Sequence, residues 1–341
     1  MAESGKSGWL GKALRWLVPL AFSGVAFWLI FRQIEFSQLV ENLKKIGWGT
    51  ILLAIVFYYL SYFTRVFCWY LLLRRKVPFW ETFFTMSAGY LLNNIFPFRL
   101  GEIGRAILLD DPERSPALEV FSSILVERVF DVFLAAVFIL SMLPRVIGNT
   151  FDQRIILIAL VVAVVGLLAL FFAARFREKI NAWLERWGER SKFIQQWVTP
   201  KAVQLLEGLS VLNKPGLFLL AFGSLAISWF LSFGENYVVF NSLHPQPPFW
   251  WMVFVLSAGA FGGALPSVPA GLGVFEGVMV AAFALLGVDA GTAFTHAIVI
   301  HAMAFLFTNV MGLIGLRLRG QAVVDLYHRA VNRPKEQNIS G

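Results

Sequence analysis

The charged and helix-breaking residues between positions 87 and 109 are the strongest candidates for chemistry in this sequence. The segment interrupts apolar sequence, and hydrocarbon neither hydrogen-bonds a broken backbone nor solvates an ionised side chain. A helix beginning near Gly101 would present free N–H groups to an anion, with Glu102 and Arg105 on one face. The pattern predicts a phosphate site, with a structural Glu102–Arg105 ion pair as the alternative. Its candidate residues are Asn93, Asn94, Pro97, Arg99, Gly101, Glu102 and Arg105.

A second cluster lies at Glu127, Arg128 and Asp131, inside an apolar run. Ionisable side chains at this depth are costly and must face the interior of a helix bundle. The spacing predicts either a ligand-binding wall or an intrahelical salt bridge. Arg65, in an earlier run, is interpreted as extending to the cytoplasmic surface, and the other reading places it in a cavity.

A third cluster is the break at Pro266, Pro269, Gly271 and Gly273, which ends at Glu276. Proline removes a backbone donor and glycine permits a turn, so the chain must leave the helix here. Glu276 is the sole charge of this segment. It is expected to pair with an arginine of the 87–109 segment or to take up a proton.

The composition requires a membrane setting for these clusters. The chain of 341 residues is 58% hydrophobic and 15% charged, against roughly 25% charged in soluble domains. Several apolar runs exceed the roughly 20 residues that cross a bilayer. The sequence therefore predicts an all-α polytopic membrane protein with full transmembrane helices at about 14–31, 48–73, 116–141, 154–174, 215–240 and 292–316.

Basic residues set the expected orientation. Arg74, Arg75 and Lys76 follow the second run, eight Lys or Arg occupy 175–214, and the loop 241–249 has none. Because cytoplasmic loops are enriched in Lys and Arg, both termini are expected in the cytoplasm, in an inner or plasma membrane.

This orientation makes the two interrupted regions, 82–109 and 249–287, begin and end on the same side. We therefore expect two re-entrant helical hairpins that enter from opposite faces, as in inverted-repeat transporters. Ser87-Ala88-Gly89 and Ser257-Ala258-Gly259, at corresponding positions, weakly support a duplication.

The expected organisation follows from these assignments. The segment 175–214, which links the two membrane halves, is interpreted as an amphipathic helix on the membrane surface or as a solvated connector. The segments are a cytoplasmic N-terminus 1–13, a first membrane half 14–174, a linker 175–214, a second membrane half 215–319 and a cytoplasmic tail 320–341.

Several function classes receive no support from the sequence. The histidines and the single cysteine lack metal-site spacing, and no Walker or Gly-x-Ser-x-Gly motif occurs. No basic stripe carries base-stacking aromatic residues, so no nucleic-acid partner is expected. No cofactor and no metal are expected either.

Three ordered motifs together resemble the lysylphosphatidylglycerol synthase transmembrane-region family, also called flippase-like integral membrane proteins. They are Asn94-x-x-Pro97-x-x-x-Gly101-Glu102-x-x-Arg105, Glu127-Arg128-x-x-Asp131 and Pro266-x-x-Pro269-x-Gly271-x-Gly273-x-x-Glu276. The resemblance covers about 10–320 and implies the membrane part without the synthase domain. The family often has a basic residue, usually Arg, in the last span, where this chain has His301. His301 is interpreted as a packed neutral histidine, with a pH-sensitive headgroup contact as the alternative.

The expected function is therefore that of a lipid flippase or transporter. It would bind an anionic lipid headgroup, aminoacylated or glycosylated, in a central polar cavity. The alternatives are an intramembrane lipid-modifying transferase and an accessory subunit that docks a lipid-modifying enzyme. The expected partner is a membrane phospholipid or a lipid-linked substrate, and the sequence does not determine the oligomeric state.

Overall fold

The computed structural model describes residues 23–25, 28, 32, 35–96, 100–148, 153–188, 194–262 and 268–320. Within these residues the chain is helical apart from its loops and one isolated bridge between Asp111 and Ser115. The α-helices are α1 Phe36–Lys45, α2 Trp48–Leu72, α3 Phe79–Ile95, α4 Leu100–Leu108, α5 Ala117–Ile147, α6 Gln153–Arg175, α7 Arg177–Gly188, α8 Thr199–Gly208, α9 Pro215–Leu243, α10 Phe249–Gly262, α11 Val274–Ala284 and α12 Ala290–Leu318.

Helices α2, α9 and α12 are long and apolar enough to cross a membrane. They contain 25, 29 and 29 residues, and at a rise of about 1.5 Å per residue each exceeds the roughly 30 Å of a bilayer core. They coincide with the predicted spans 48–73, 215–240 and 292–316. The all-α membrane class is thereby confirmed.

The other three predicted spans lie in a helix that carries charges, in helix α6, or in a part of the chain that is mostly outside the described residues. The span 116–141 lies in α5, which has 31 residues but carries the charges of the second cluster. The span 154–174 lies in α6. Most of 14–31 lies outside the described residues, as do 1–13 and nearly all of 320–341. The count of six spans stays a prediction.

Helices α2 and α9 form the most closely packed pair of the bundle. The Ser61 hydroxyl lies 3.0 Å from the Ser228 hydroxyl and 2.8 Å from that of Ser232. Gly234 lies against the Phe57 ring. Small residues let helix backbones approach where lipid supplies no hydrophobic driving force, which accounts for the close contact of this pair.

One end of the bundle, here called the basic end, is joined by ion pairs. Arg74 and Lys76, after α2, both contact Glu119 in the first turn of α5. Arg74 and Arg177 both contact Glu207 of α8. The loop after α2, the start of α5 and the 175–214 segment therefore share one end, as the charge pattern predicts.

Helices α3 and α4 form a hairpin, here called the first hairpin, with both ends at the basic end. Arg319, just after α12, lies 3.0 Å from Glu81 near the start of α3 and donates to the Leu108 carbonyl at the end of α4 at 2.6 Å. Near the tip, Asn94 donates to Thr308 at 3.1 Å. Thr308 is ten residues before the end of α12, so the tip stops partway along that helix.

The segment from α10 to α11, here called the second hairpin, starts and ends at the opposite end. It follows α9 and leads into α12 through short loops. Gln38 of α1 donates to Asp289 at 2.7 Å, which places α1 at this end as well. The turn Pro269–Gly271 packs against α3, so the two hairpins meet inside the bundle.

Within the described residues, the 175–214 linker contains helices α7 and α8. Helix α8 is docked on the bundle: the Ser122 hydroxyl of α5 donates to the Leu205 carbonyl at 2.7 Å. Helix α7 leaves Trp183 and Trp187 exposed, with ring centroids 4.7 Å apart. Helix α8 thus packs on the bundle and α7 has an exposed aromatic face, and the placement of the linker on the membrane surface stays a prediction.

Candidate functional site

A cavity of about 480 Å³ opens where the two hairpins meet α2, α5, α9 and α12. Part of its wall is apolar and part carries hydrogen-bonding or charged side chains. Its polar lining consists of Tyr58, Ser61, Tyr62, Arg65, Tyr90, Asn94, Arg128, Asp131, Trp229, Ser232, His301 and Thr308.

Arg65 and Asp131 form a two-pronged ion pair across the cavity. Arg65 Nη1 lies 2.6 Å from Asp131 Oδ2, and Nη2 lies 3.0 Å from Oδ1. The Trp229 indole also donates to Asp131 Oδ1 at 3.1 Å. The expectation that Arg65 extends to the cytoplasmic surface is therefore wrong, because a bidentate carboxylate partner lies inside the bundle.

Glu127 is the buried centre of the arginine cluster. Its side chain has no exposed surface, and it lies 2.6 Å from Arg105, 2.9 Å from Arg128 and 3.8 Å from Arg65. Three helices, α2, α4 and α5, thus direct a guanidinium at one end of one side chain. An interior carboxylate needs such compensation, since ionised groups are costly to bury alone.

The charges of this cluster do not balance. Within the described residues it contains three arginines against Glu127 and Asp131, an excess of one positive charge. Arg128 is the most open of the three, with 30% of its side chain exposed, and it lines the cavity. An anion in the cavity would therefore meet an incompletely neutralised guanidinium.

Arg105 lies behind the cavity wall rather than in it. Its guanidinium stacks over the Trp69 ring at 3.7 Å and its side chain is 4% exposed. The Glu102–Arg105 pair, the alternative to a phosphate site, does not form: Arg105 binds Glu127, and Glu102 Oε2 is buried without a hydrogen-bond partner among the described residues. The stronger attraction of the fully buried Glu127 accounts for the difference.

The two asparagines of the first hairpin have separate roles. Asn93 Oδ1 accepts a hydrogen bond from the Gly101 N–H at 2.7 Å and so joins α3 to the start of α4. Asn94 lines the cavity and joins the tip to α12. Of the candidates, Pro97, Arg99 and Pro266 lie outside the described residues.

The second hairpin turns through left-handed backbone. Ala270, Gly271 and Gly273 have φ values of 63°, 76° and 81°, and Pro269 opens the turn. Glu276 caps the helix that follows, because its Oε2 accepts the Gly273 N–H at 2.7 Å. This contact satisfies the Gly273 N–H, a donor at the start of α11, within the hairpin itself.

Glu276 also contacts His301 Nδ1 of α12. The expected pairing with an arginine of the first hairpin is wrong for the described arginines, because His301 on α12 lies beside the second hairpin instead. His301 lines the cavity with 15% of its side chain exposed, so it is part of the site wall.

Sequence reasoning missed part of the wall. Tyr58, Tyr62, Tyr90 and Trp229 lie in apolar helices where aromatic residues are usual, so nothing distinguishes them from core residues. Arg65 could have been predicted as a site residue from the sequence, because an arginine inside a membrane span is a site candidate by default.

Comparison with known proteins gives a consistent result. The family described as lysylphosphatidylglycerol synthase TM region matches residues 16–312. Two UPF0104 membrane proteins of Methanothermobacter thermautotrophicus are similar. One is 26% identical over 254 residues, covering 68% of this chain and 72% of the relative. The other is 24% identical over 266 residues, covering 70% and 75%.

No solved structure matches the chain. The family match extends over most of the sequence and contains all three clusters from which the site was assembled. This chain therefore belongs to the family of the lysylphosphatidylglycerol synthase transmembrane region.

Proposed function

We propose that this protein moves an anionic phospholipid across the membrane by holding its headgroup in the central cavity. The observation that carries the proposal is the excess positive charge on the cavity wall, where Arg65 and Arg128 meet Asp131. A headgroup phosphate would bind Arg128 and share Arg65 with Asp131. Asn94 and His301 would contact the rest of the headgroup from the two hairpins.

The apolar rim of the cavity supports a lipid rather than a small soluble anion. Val132 of α5, Phe261 of α10 and Phe305 of α12 line the cavity and are exposed, at 54%, 40% and 38%. Exposed apolar side chains at a cavity mouth suit acyl chains that remain in the bilayer. The lipid would enter between these three helices, headgroup first.

The proposal includes a membrane arrangement. The basic end would face the cytoplasm under the positive-inside rule, which places both termini there. The two hairpins would be re-entrant from opposite faces, with six full spans around them. Their meeting near the middle of α12 would let the headgroup pass from one hairpin to the other.

The test is lipid translocation in proteoliposomes with a fluorescently labelled phosphatidylglycerol. Arg128→Gln should lower the initial rate about tenfold or more, since a charge-assisted hydrogen bond contributes about 1.5–3 kcal/mol. Arg145→Gln, on the exposed end of the same helix, is the matched control and should behave as wild type. Equal rates for wild type and Arg128→Gln would refute the assigned phosphate contact.

The same preparation separates transport from chemistry. In detergent there is no bilayer to cross, so a transporter leaves the added lipid chemically unchanged. Mass spectrometry that finds a modified headgroup after incubation in detergent would identify the protein as a lipid-modifying transferase instead.

A further inference from the structure

Glu235, near the far end of α9, is a buried carboxyl that the proposed phosphate site does not use. It is 3% exposed, and its Oε1 has no hydrogen-bond partner among the residues that the structure describes. In the described part of the chain no arginine, lysine or histidine forms an ion pair with it, in contrast to Glu127 and Asp131. A buried ionised carboxylate without a partner costs several kcal/mol. In this conformation Glu235 is therefore held in its neutral, protonated form.

Glu235 lies between the cavity and the end of the bundle opposite the basic end. Ser232, one turn earlier on α9, lines the cavity, and Tyr58, which also lines it, is within electrostatic range of Glu235. The neighbouring Asn236 contacts His296 Nε2 at 3.0 Å, and His296 Nδ1 is buried without a partner in the described segments.

Several ionisable groups lie on the elements that pack against α9, but their arginines and His301 contact other carboxylates or are exposed. Arg65 of α2 and Arg128 of α5 pair with Glu127 and Asp131, His301 of α12 contacts Glu276, and Arg145 and Arg317 are exposed. Tyr58 is on α2, His296 is on α12, and Asp131 of α5 lies beside Trp229, six residues or about 9 Å along α9. Helix α10 and the turn Leu209–Asn213 have no ionisable residue. Glu41, Lys44 and Lys45 of α1 are exposed. No described cation is thus placed to hold Glu235 ionised.

We infer that Glu235 binds a proton that crosses the membrane together with the anionic lipid. With Glu235 protonated, the arginine cluster keeps its excess positive charge and attracts the headgroup phosphate. When the cavity opens to water and Glu235 releases its proton, the new carboxylate cancels that charge and favours lipid release. Proton binding and lipid binding then strengthen each other by the same factor, as thermodynamic linkage requires.

This inference rests on the proposed function and adds its energy source. One proton and one singly charged headgroup carry no net charge together. At equilibrium, the ratio of lipid between the two leaflets should therefore change about tenfold for each unit of pH difference. It should not respond to a membrane potential alone.

The experiment uses proteoliposomes with labelled phosphatidylglycerol and an imposed pH difference. The leaflet ratio is read with a membrane-impermeant quencher. Wild type and Glu178→Gln, a variant on the exposed helix α7, should follow the pH difference. Glu235→Gln mimics the protonated acid, so it should fold and move lipid, but its leaflet ratio should ignore pH and respond to potential. A Glu235→Gln leaflet ratio that still follows pH would overturn the inference and leave the transport function intact.

A second measurement does not depend on transport. Infrared difference spectra of the purified protein between neutral and alkaline pH should contain a protonated carboxyl band that Glu235→Gln lacks and Glu178→Gln retains. A band unchanged in Glu235→Gln would overturn the assignment of the proton to this residue. Absence of lipid movement in every vesicle would overturn the proposed function and the co-transport together, and the infrared band would still decide where the proton binds.

Discussion

The first and second hairpins are built alike and use their charges differently. Each starts and ends at one end of the bundle, and each reaches α12 partway along its length. In the first hairpin, Arg105 leaves the hairpin to bind Glu127 of α5. In the second, Glu276 caps its own helix and contacts His301. The first hairpin therefore builds the charged wall, and the second builds a self-contained turn beside it.

The two hairpins also differ in how closely they pack at Gly89 and Gly259. Gly89 and Gly259 occupy matching Ser-Ala-Gly positions, and each faces the second helix of its hairpin. Gly89 lies against Gly101 and the Arg105 side chain, whereas Gly259 lies against Met279 and Phe275. The first contact brings two backbones together, so it has no spare volume. The second contact is made by side chains that can move.

The largest expected difference in stability is between substitutions of Glu127, the partner of the first hairpin, and Glu276, in the second hairpin. Glu127→Gln should destabilise the protein by about 3–5 kcal/mol, because the buried Arg105 would lose its carboxylate and three guanidiniums would keep only Asp131 between them. Glu276→Gln should cost about 1 kcal/mol, since the amide oxygen still accepts the Gly273 N–H. Cys68 is the sole cysteine and is buried, so a thiol-reactive dye reports unfolding directly. Equal losses for the two variants would show that both hairpins depend on their charge to the same extent.

The glycine pair gives the next largest effect. An added Cβ at Gly101 would overlap the Gly89 carbonyl and lie 2.6 Å from Asn93 Oδ1, so Gly101→Ala should cost about 3 kcal/mol. At Gly259 the nearest atom is the Met279 sulfur at 3.1 Å, and a methionine side chain can shift. Gly259→Ala should therefore change stability by less than about 1 kcal/mol. The same dye measurement applies, and a Gly101→Ala variant as stable as Gly259→Ala would contradict the close backbone packing.

The sequence predicted where the hairpins and their charged residues lie, but not which charged residues pair. Charges and breaks inside apolar runs located both hairpins and the 127–131 cluster, because the cost of burying such groups is general. The partners could not be predicted, since Arg65, Arg105 and His301 lie on three different helices and their pairing depends on helix rotation. Glu102 and Arg105 share a face in the sequence pattern, yet the deeper carboxylate of Glu127 binds the arginine. The spacing of residues in the sequence identified the candidates, and tertiary packing determined which of them pair.

The smallest expected effect is a pH dependence in the loops that leave the hairpins. After the first hairpin, N–H groups of Arg114 and Glu113 hold the pKa of Asp111 below its usual range. After the second, burial raises the pKa of Asp289, but hydrogen bonds from Thr292 and Gln38 outweigh burial and lower it. A lowered pKa favours folding above the unfolded value of about 3.9, and this contribution is lost as pH falls through the folded value.

Asp289 should matter more than Asp111, because its bond to Gln38 joins α1 to α12 while the Asp111 bonds stay within one loop. Asp289→Asn keeps a good helix cap but removes the titration. It should therefore lose less stability than wild type between about pH 7 and about pH 3. Asp111→Asn should differ less from wild type over the same range. Dye-monitored unfolding at several pH values makes the comparison, and an Asp289→Asn profile identical to wild type would show that the α1 contact does not contribute to acid stability.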